Sequence, residues 1–230
     1  MKKHRAPVLA AIRFAERRNE FAGLDLAARF DLIHRTNLWG AASSVSGLGS
    51  ELAATAKLRG ELSGLLHRLG VRTLLDLPCG DFTWMAGVDL DGVSYLGGDI
   101  VAAIVETNAR RYGISGRVDF SRIDLVEDSI PKSDLVLCRD CLVHLSYRQI
   151  ALAIDNIKRS GSRWLLTTTF VNLDRNRDIE DGDWRALNLQ APPFLFPKPV
   201  EILTEDCAEA GGDYADKALA LWPVDRLPDL

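Results

Sequence analysis

The sequence predicts an α/β protein built on a doubly wound, mostly parallel sheet of seven strands, preceded by a helical extension. Short apolar runs alternate with longer segments whose apolar residues recur at helical spacing, as in consecutive βαβ units. Acidic residues stand at the ends of two of these runs, Asp76 and Asp99, and ligands of open α/β sheets bind at such strand ends. A chain of 230 residues can hold one domain of this kind with a sizeable core.

The N-terminal region is predicted to be helical over residues 6–36, with a break near Gly23. A Ser/Gly-rich loop over residues 43–50 follows. This loop is either a linker between an N-terminal arm, residues 1–49, and the main domain, residues 50–230, or a lid over a bound ligand. Both interpretations stay open because loops beside binding sites often carry contacts.

The main domain is predicted to alternate helices and strands. Ser50 is expected to cap a helix over residues 51–69 that ends at Gly70, and Ser146 with Gln149 has the form of a capping box. Further helices are expected over residues 82–86, 101–112 and 146–159, and strands over residues 74–77, 93–99, 118–123, 135–138, 164–170, 200–204 and 217–222.

The turn after the first strand is the first candidate binding site. Pro78 restricts the residue before it to an extended conformation, Gly80 lets backbone approach a ligand closely, and Asp81 is an expected N-cap. The turn lacks both the G-x-G-x-x-G pattern and the Gly-Lys-Ser/Thr of a P-loop, so it is not a phosphate cradle. The residues of this site are Asp76, Pro78, Cys79, Gly80 and Asp81.

The end of the second strand is the second candidate site. Asp99 lies 23 residues after Asp76 (99 − 76), and a carboxylate at this position can accept hydrogen bonds from both hydroxyls of a ribose. Together with the missing phosphate cradle, this predicts a nucleoside-like ligand that carries no diphosphate.

At these residues the chain resembles class I S-adenosylmethionine-dependent methyltransferases. Pro78-Cys79-Gly80 stands where Gly-Cys-Gly is commoner in that family. The resemblance covers roughly residues 50–170, and its four motifs lie at residues 74–81, 95–100, 123–125 and 134–145. It implies a Rossmann-like fold, S-adenosylmethionine as cofactor and a cofactor site that also includes Ile100, Asp124, Leu125 and Arg139. Asp124 is expected to accept from the adenine amine; the alternative is a turn-capping role.

Two residues after the fourth strand are the candidate catalytic groups. His144 is a candidate general base, because an ordinary imidazole pKa lies near physiological pH; the alternative is a purely structural role at the start of a helix. Asp140 could orient His144, bind the acceptor or ligate a metal. Cys138 and Cys141 have the C-x-x-C form, but no second Cys/His pair has zinc-ligand spacing, so we expect packing residues and no metal site.

The acceptor is predicted to bind under the long irregular segment 172–199, which is rich in charged and aromatic residues. Its polar character favours O-methylation of a small molecule or a glycan. N-methylation of a small molecule or peptide remains an alternative, as does a non-catalytic cofactor-binding partner subunit. A nicotinamide dehydrogenase is disfavoured because the glycines of the dinucleotide motif are missing.

The composition is that of an ordinary soluble protein, with 47% hydrophobic and 26% charged residues. A net charge of −4 argues against general attraction to nucleic acid. Basic residues concentrate in residues 1–20, where a solvated helix face is favoured over contact with a membrane or an anionic partner. No stretch of 18 apolar residues predicts a transmembrane helix, and four cysteines form no disulfide framework, so a cytoplasmic location is expected.

Overall fold

The computed structural model describes residues 5–230. Seven strands form one sheet: β1 (Thr73–Asp76), β2 (Ser94–Asp99), β3 (Val118–Arg122), β4 (Leu135–Cys138), β5 (Trp164–Phe170), β6 (Glu201–Thr204) and β7 (Lys217–Pro223). Their order across the sheet is β3-β2-β1-β4-β5-β7-β6. β1 to β5 pair in parallel, and β7 runs antiparallel to both of its neighbours. The predicted mostly parallel, seven-stranded sheet is confirmed.

Helices cover both faces of this sheet. They are α1 (Leu9–Arg17), α2 (Leu26–Arg35), α3 (Ala56–Leu69), α4 (Ala102–Tyr112) and α5 (Tyr147–Arg159), with a short irregular α6 (Glu209–Gly212). Gly23 adopts a φ of 75° between α1 and α2, so the predicted break in the N-terminal helical region is confirmed. Gly70 ends α3 in the left-handed conformation, and the Ser146 hydroxyl accepts from the Gln149 amide at the start of α5, as expected.

Two predicted helix starts are wrong. The helix expected from residue 51 begins at Ala56, because residues 48–50 form a separate 3-10 turn in which the Ser50 hydroxyl donates to the Ser46 carbonyl instead of accepting from a helix amide. The helix expected over residues 82–86 is only a 3-10 turn at Met85–Gly87. Phe82 has a φ of 58°, a left-handed conformation that an α-helix cannot include.

The core lies on both sides of the central strands. Successive side chains of a strand point to opposite faces, so Leu75 and Val136 pack with the apolar side of α5, while Leu74 and Leu135 pack with that of α3. Complete burial of one such side chain stabilises the fold by about 1.5–3 kcal/mol. Because both faces are covered, the carboxyl-end edge of the strands is where a ligand can approach the sheet.

The N-terminal arm and the segment 172–199 cover that edge together. Glu180 of the segment accepts from Arg18 and Arg29 of the arm at 2.9 and 2.8 Å. Asp181 accepts from the Ser146 amide and Asp178 from the Tyr147 amide, so the segment also caps the first turn of α5.

The basic residues of the N-terminus that the structure describes are largely engaged in ion pairs. Arg5 makes two 2.8 Å hydrogen bonds to Asp216, and Arg17 pairs with Glu20; Lys2 and Lys3 lie outside the described residues. Within residues 5–230, no helix has both the length and the apolar character needed to cross a membrane.

Candidate active site

A cleft of about 1020 Å³ opens at the carboxyl ends of β1, β2 and β4. Parallel strands bring these ends to one edge of the sheet, which is why residues distant in sequence meet there. All twelve candidate residues named from the sequence line this cleft: Asp76, Pro78, Cys79, Gly80, Asp81, Asp99, Ile100, Asp124, Leu125, Arg139, Asp140 and His144.

Asp99 is held at the end of β2 by backbone amides. One carboxylate oxygen accepts from the Val101 amide at 2.9 Å and the other from the Gly80 amide at 3.1 Å. Each oxygen can accept further hydrogen bonds. Burial raises the pKa of Asp99 to about 6, and the two amides oppose this rise.

Asp76 lies at the end of β1 and accepts a 2.7 Å hydrogen bond from the Tyr95 hydroxyl. Its burial raises its pKa to about 7, while the Tyr95 hydroxyl and the positive charge of Arg139 act in the opposite direction. A buried carboxyl of this kind is stabilised in its charged form by a cation, so this position suits the ammonium group of an amino acid.

The far end of the cleft is apolar apart from Asp124. Ile100, Ile123 and Leu125 line it and can pack on the faces of a flat heterocycle. One oxygen of Asp124 accepts from the Val126 and Glu127 amides at 2.8 and 3.3 Å, so the turn-capping role is present. The other oxygen has no hydrogen bond from the described residues and is free for an amine donor.

The loop at residues 43–50 lies on the turn after β1. The Val45 amide donates to Asp81 at 2.9 Å, and the Asp81 amide donates to the Ser46 hydroxyl at 2.9 Å. Val45, Ser46 and Ser50 line the cleft. Of the two interpretations left open by the sequence, these contacts favour a lid, which we call the lid loop. Asp81 fixes the lid loop and caps the turn at Thr83, and it does not cap a helix.

Four charged residues meet beneath the lid loop, and three of them, Arg139, Glu205 and Lys217, are buried. Arg139 Nη2 is 2.5 Å from Glu205 Oε2 and donates to the Gly49 carbonyl at 2.7 Å. Lys217 Nζ is 2.6 Å from Asp140 Oδ2 and 3.3 Å from Glu205 Oε2. We call Arg139, Asp140, Glu205 and Lys217 the ion cluster. Burial alone raises the pKa of Asp140, but the charges of Lys217 and Arg139 outweigh it and hold this pKa well below its ordinary value.

His144 is buried and fixed on both sides. Its Nδ1 is 2.8 Å from the Asp183 carbonyl oxygen, which can only accept, so Nδ1 carries the proton and Nε2 keeps a lone pair. Its ring stacks on Trp39 with centroids 4.4 Å apart. No described residue makes a hydrogen bond with Nε2. Asp140 bonds with Thr168 and Lys217, so the Asp183 carbonyl, and not Asp140, orients His144 by a direct hydrogen bond.

The pKa of His144 differs from the sequence-based expectation. Burial lowers it to about 4, although the Asp183 carbonyl and the Asp140 charge favour the protonated ring. The expectation of an imidazole pKa near physiological pH is therefore wrong. The ring is neutral at pH 7, which is the form that can accept a proton.

A second pocket of about 550 Å³ adjoins the cleft. The two share Trp39, Ser46, Asp140 and His144 as lining residues. Trp184 is the residue of the segment 172–199 that lines it. Much of that segment is structural instead: Arg185 is buried and donates to the carbonyls of Leu142 and Leu145 at 2.7 Å.

The C-x-x-C pair lies at the end of β4, with Cys138 buried and Cys141 partly buried. Cys138 lies in the apolar core, and Cys141 packs against it. Residues 5–230 contain no group of three or more His, Cys, Asp or Glu side chains that could hold a metal ion.

The chain matches no family model and no curated protein sequence, but its fold is similar to solved structures. Magnesium protoporphyrin IX methyltransferase from Synechocystis PCC 6803, with bound S-adenosylmethionine, aligns with 88% of this chain and 98% of its own at 13% identity and a TM-score of 0.58. The 1,6-didemethyltoxoflavin-N1-methyltransferase of Burkholderia thailandensis, with S-adenosylhomocysteine, aligns with 96% and 92% at 17% identity and a TM-score of 0.58.

The chain has the class I methyltransferase fold. This confirms the resemblance drawn from the four sequence motifs at the level of the fold. The fold is also similar to that of the [4+2]-cyclase SpnF, whose structure aligns with 71% of this chain and 79% of its own at 17% identity and a TM-score of 0.51. The reaction must therefore be argued from the site and not from the fold alone.

Proposed function

We propose that this protein is an S-adenosylmethionine-dependent methyltransferase that acts on a hydroxyl group of a small molecule. The observation that carries the proposal is the cleft at the carboxyl ends of β1, β2 and β4, whose wall presents Asp76, Asp99 and Asp124 and which opens beside His144 into a second pocket. A donor cleft that meets an acceptor pocket at a candidate base is what methyl transfer to a hydroxyl requires.

The residues present fit the proposed donor. Asp99 has free acceptor capacity for ribose hydroxyls, Asp76 suits an ammonium group, and Ile100 and Leu125 can flank the adenine. The related methyltransferases hold this donor or its demethylated product. When bound, the sulfonium supplies a methyl group for direct displacement. The lid loop lines this cleft through Val45, Ser46 and Ser50.

Proton removal is assigned to His144. Its tautomer leaves the Nε2 lone pair available to an acceptor hydroxyl, and its neutral ring takes up the proton as the oxygen is methylated. Asp140 is a poor candidate for this step because Lys217 and Arg139 stabilise its charged form. We assign Asp140 to acceptor binding between the cleft and the second pocket.

Titration calorimetry with S-adenosylmethionine, S-adenosylhomocysteine and NAD tests the donor assignment first. We expect both sulfur compounds to bind and NAD to give no heat. A mass-shift screen of metabolites incubated with protein and donor then identifies the acceptor. Donor binding without any methylated product would favour a non-catalytic subunit or another reaction on the same fold.

Asp99→Ala is expected to weaken donor binding by at least tenfold, about 1.4 kcal/mol, because hydrogen bonds to a charged group are worth about 1.5–3 kcal/mol. Asp99→Asn, which keeps the side-chain size, should show a similar loss. Calorimetry measures both. Asp119→Ala is the matched control. Asp119 lies on β3 and outside the cleft, and its carboxylate accepts a hydrogen bond from the Gly116 amide. Unchanged donor affinity in both Asp99 variants would remove Asp99 from the donor site.

Trp184→Ala is expected to raise the acceptor Michaelis constant while leaving donor affinity nearly unchanged, because Trp184 lines the second pocket and not the cleft. Steady-state kinetics and donor calorimetry separate the two effects. Trp164→Ala at the opposite end of β5 is the control, with a loss of stability and no change in acceptor affinity expected. A loss confined to donor binding would mean that the two pockets have been assigned in reverse.

An amine acceptor is the main alternative, since an unprotonated amine can be methylated without a base. One of the similar structures is an N-methyltransferase, which keeps this alternative open. The dependence of turnover on His144, argued in the Discussion, distinguishes the two chemistries.

A further inference from the structure

The second pocket has a charged end in which one carboxylate is unmatched. Arg139 and Lys217 in the ion cluster are balanced by Asp140 and Glu205 through contacts of 2.5–3.4 Å. Glu209 also lines this pocket. Its side-chain carboxylate forms no ion pair and no hydrogen bond with the residues that the structure describes. The charged end of the pocket therefore carries a net negative charge.

Glu209 faces the same small space as the ion cluster. A Cβ atom placed on Gly49 would lie 3.1 Å from Asp140 Oδ2, 3.3 Å from Lys217 Nζ and 3.8 Å from Glu209 Oε1. The three side chains thus converge on one point beside the lid loop. Burial raises the pKa of Glu209, and Lys217 opposes this rise. A second cation beside Glu209 would stabilise its charged form in the same way.

Aromatic rings form the other wall of the pocket. Phe170, Trp184 and Tyr214 contact one another edge to face, with centroids 5.1–5.9 Å apart. The faces of such rings attract cations. Arg5, which pairs with Asp216, already places a cation over two of these rings, with its guanidinium 5.3 Å from the Tyr214 ring and 5.8 Å from the Phe170 ring. Among the described residues, no cation lies over the Trp184 ring, so this ring is the one left for a guest. Carboxylate and rings together favour a positively charged guest over an anionic one.

We propose that the acceptor is a small molecule with a protonated amine, which Glu209 binds while the group to be methylated lies at His144. This inference rests on the proposed methyl transfer and specifies its substrate class. A half-buried carboxylate without a partner loses hydration free energy that nothing replaces. A charge-assisted hydrogen bond from an ammonium group offsets this loss. Glu209 is thereby a specificity-determining residue.

The mass-shift screen tests the substrate class when its library contains equal numbers of hydroxyl-bearing amines, their N-acetylated counterparts and hydroxy acids. Donor binding is first measured by calorimetry with S-adenosylhomocysteine. We expect products mainly from the amines, with the methyl group on the hydroxyl oxygen when it is located by fragmentation. Products methylated on the amine nitrogen would overturn the inference. Products mainly from neutral or acidic members would overturn the amine inference and leave methyl transfer standing. No donor binding, or no product from any member, would contradict the methyltransferase proposal and the amine inference with it.

Glu209→Gln tests the residue with the best amine from that screen. We expect its Michaelis constant to rise at least tenfold with turnover within about threefold, since a charge-assisted hydrogen bond is about twice as strong as a neutral one. The N-acetylated counterpart, which we expect to be the weaker substrate, should show the same Michaelis constant in wild type and Glu209→Gln. Asp206→Asn is the matched control, because Asp206 is exposed and pairs with Lys57. Equal Michaelis constants for the amine in wild type and Glu209→Gln would overturn the assignment.

Discussion

His144→Ala is expected to lower turnover by about 10²–10⁴-fold with little change in donor affinity, because a placed base contributes about that factor to proton removal. His144→Phe is the sharper variant. It keeps an aromatic ring to stack on Trp39 but has no nitrogen to accept the proton. Single-turnover kinetics at saturating donor and acceptor measure the effect.

The control for these variants is His67→Ala, since His67 is exposed on α3 and does not line the cleft. It should behave as wild type. Near-normal turnover in His144→Phe would show that the ring is structural and would make an amine acceptor that needs no base the better hypothesis. Thermal unfolding of each variant separates this outcome from loss of the fold.

The pH profile provides an independent check on the base. The folded pKa of His144 is about 4, below its ordinary value of 6.5, so the neutral ring is present at all pH values well above 4. The titration of His144 should therefore leave turnover at saturating substrates unchanged from pH 6 to 8. It should lower turnover as the pH drops toward about 4. A rise in turnover centred near pH 6.5 would instead indicate an imidazole exposed to solvent in the working enzyme.

The same pKa shift affects stability. The unfolded chain binds a proton at His144 below about pH 6.5, whereas the folded protein resists it until about pH 4. Stability from this group is therefore present above pH 6.5 and is lost as the pH falls toward 4.

In the kcat/KM profile for the donor, Asp76 and Asp99 should add a rise with pH, because their pKa values are raised to about 7 and about 6 and their charged forms bind the donor.

The sequence predicts the strands and the donor cleft well because both depend on local patterns. Short apolar runs lie in β1, β4 and β5, which are four to seven residues long, and acids at strand ends mark Asp76 and Asp99. Helix starts are harder to predict from the sequence, since they depend on a local backbone conformation that composition does not specify. Phe82 in a left-handed conformation and the 3-10 turn at residues 48–50 both illustrate this point.

The remaining site residues come from contacts between distant parts of the chain. Glu205 and Lys217 meet Arg139 only because β7 returns beside β5. Asp183 orients His144 through a backbone carbonyl, which every residue possesses and no sequence pattern distinguishes. Trp39 lies just beyond the helical region predicted over residues 6–36 and stacks on His144. Lys217 is the first residue of β7, and a charged residue at the start of a strand is only a weak signal of a site.

Glu205→Gln is expected to lower the free energy of unfolding by about 3–5 kcal/mol, because removing one partner from a buried ion pair leaves an uncompensated charge. One oxygen of Glu205 contacts both cations of the ion cluster, Arg139 at 2.5 Å and Lys217 at 3.3 Å. The Glu205 and Arg139 side chains are only 2% and 4% exposed, so water cannot replace the lost contact. Urea unfolding with a check on the slope of the transition measures the change.

Glu201→Gln is the matched control for this substitution. Glu201 lies on β6 and pairs with Arg68 at the surface, with side chains 34% and 57% exposed, so its loss should cost no more than about 1 kcal/mol. Glu205→Gln should in addition weaken donor binding, because Arg139 holds the Gly49 carbonyl of the lid loop and loses the carboxylate that orients it. Equal destabilisation by the two variants would show that the ion cluster is solvated. Strong destabilisation with unchanged donor affinity would show that it supports the sheet without holding the lid loop closed.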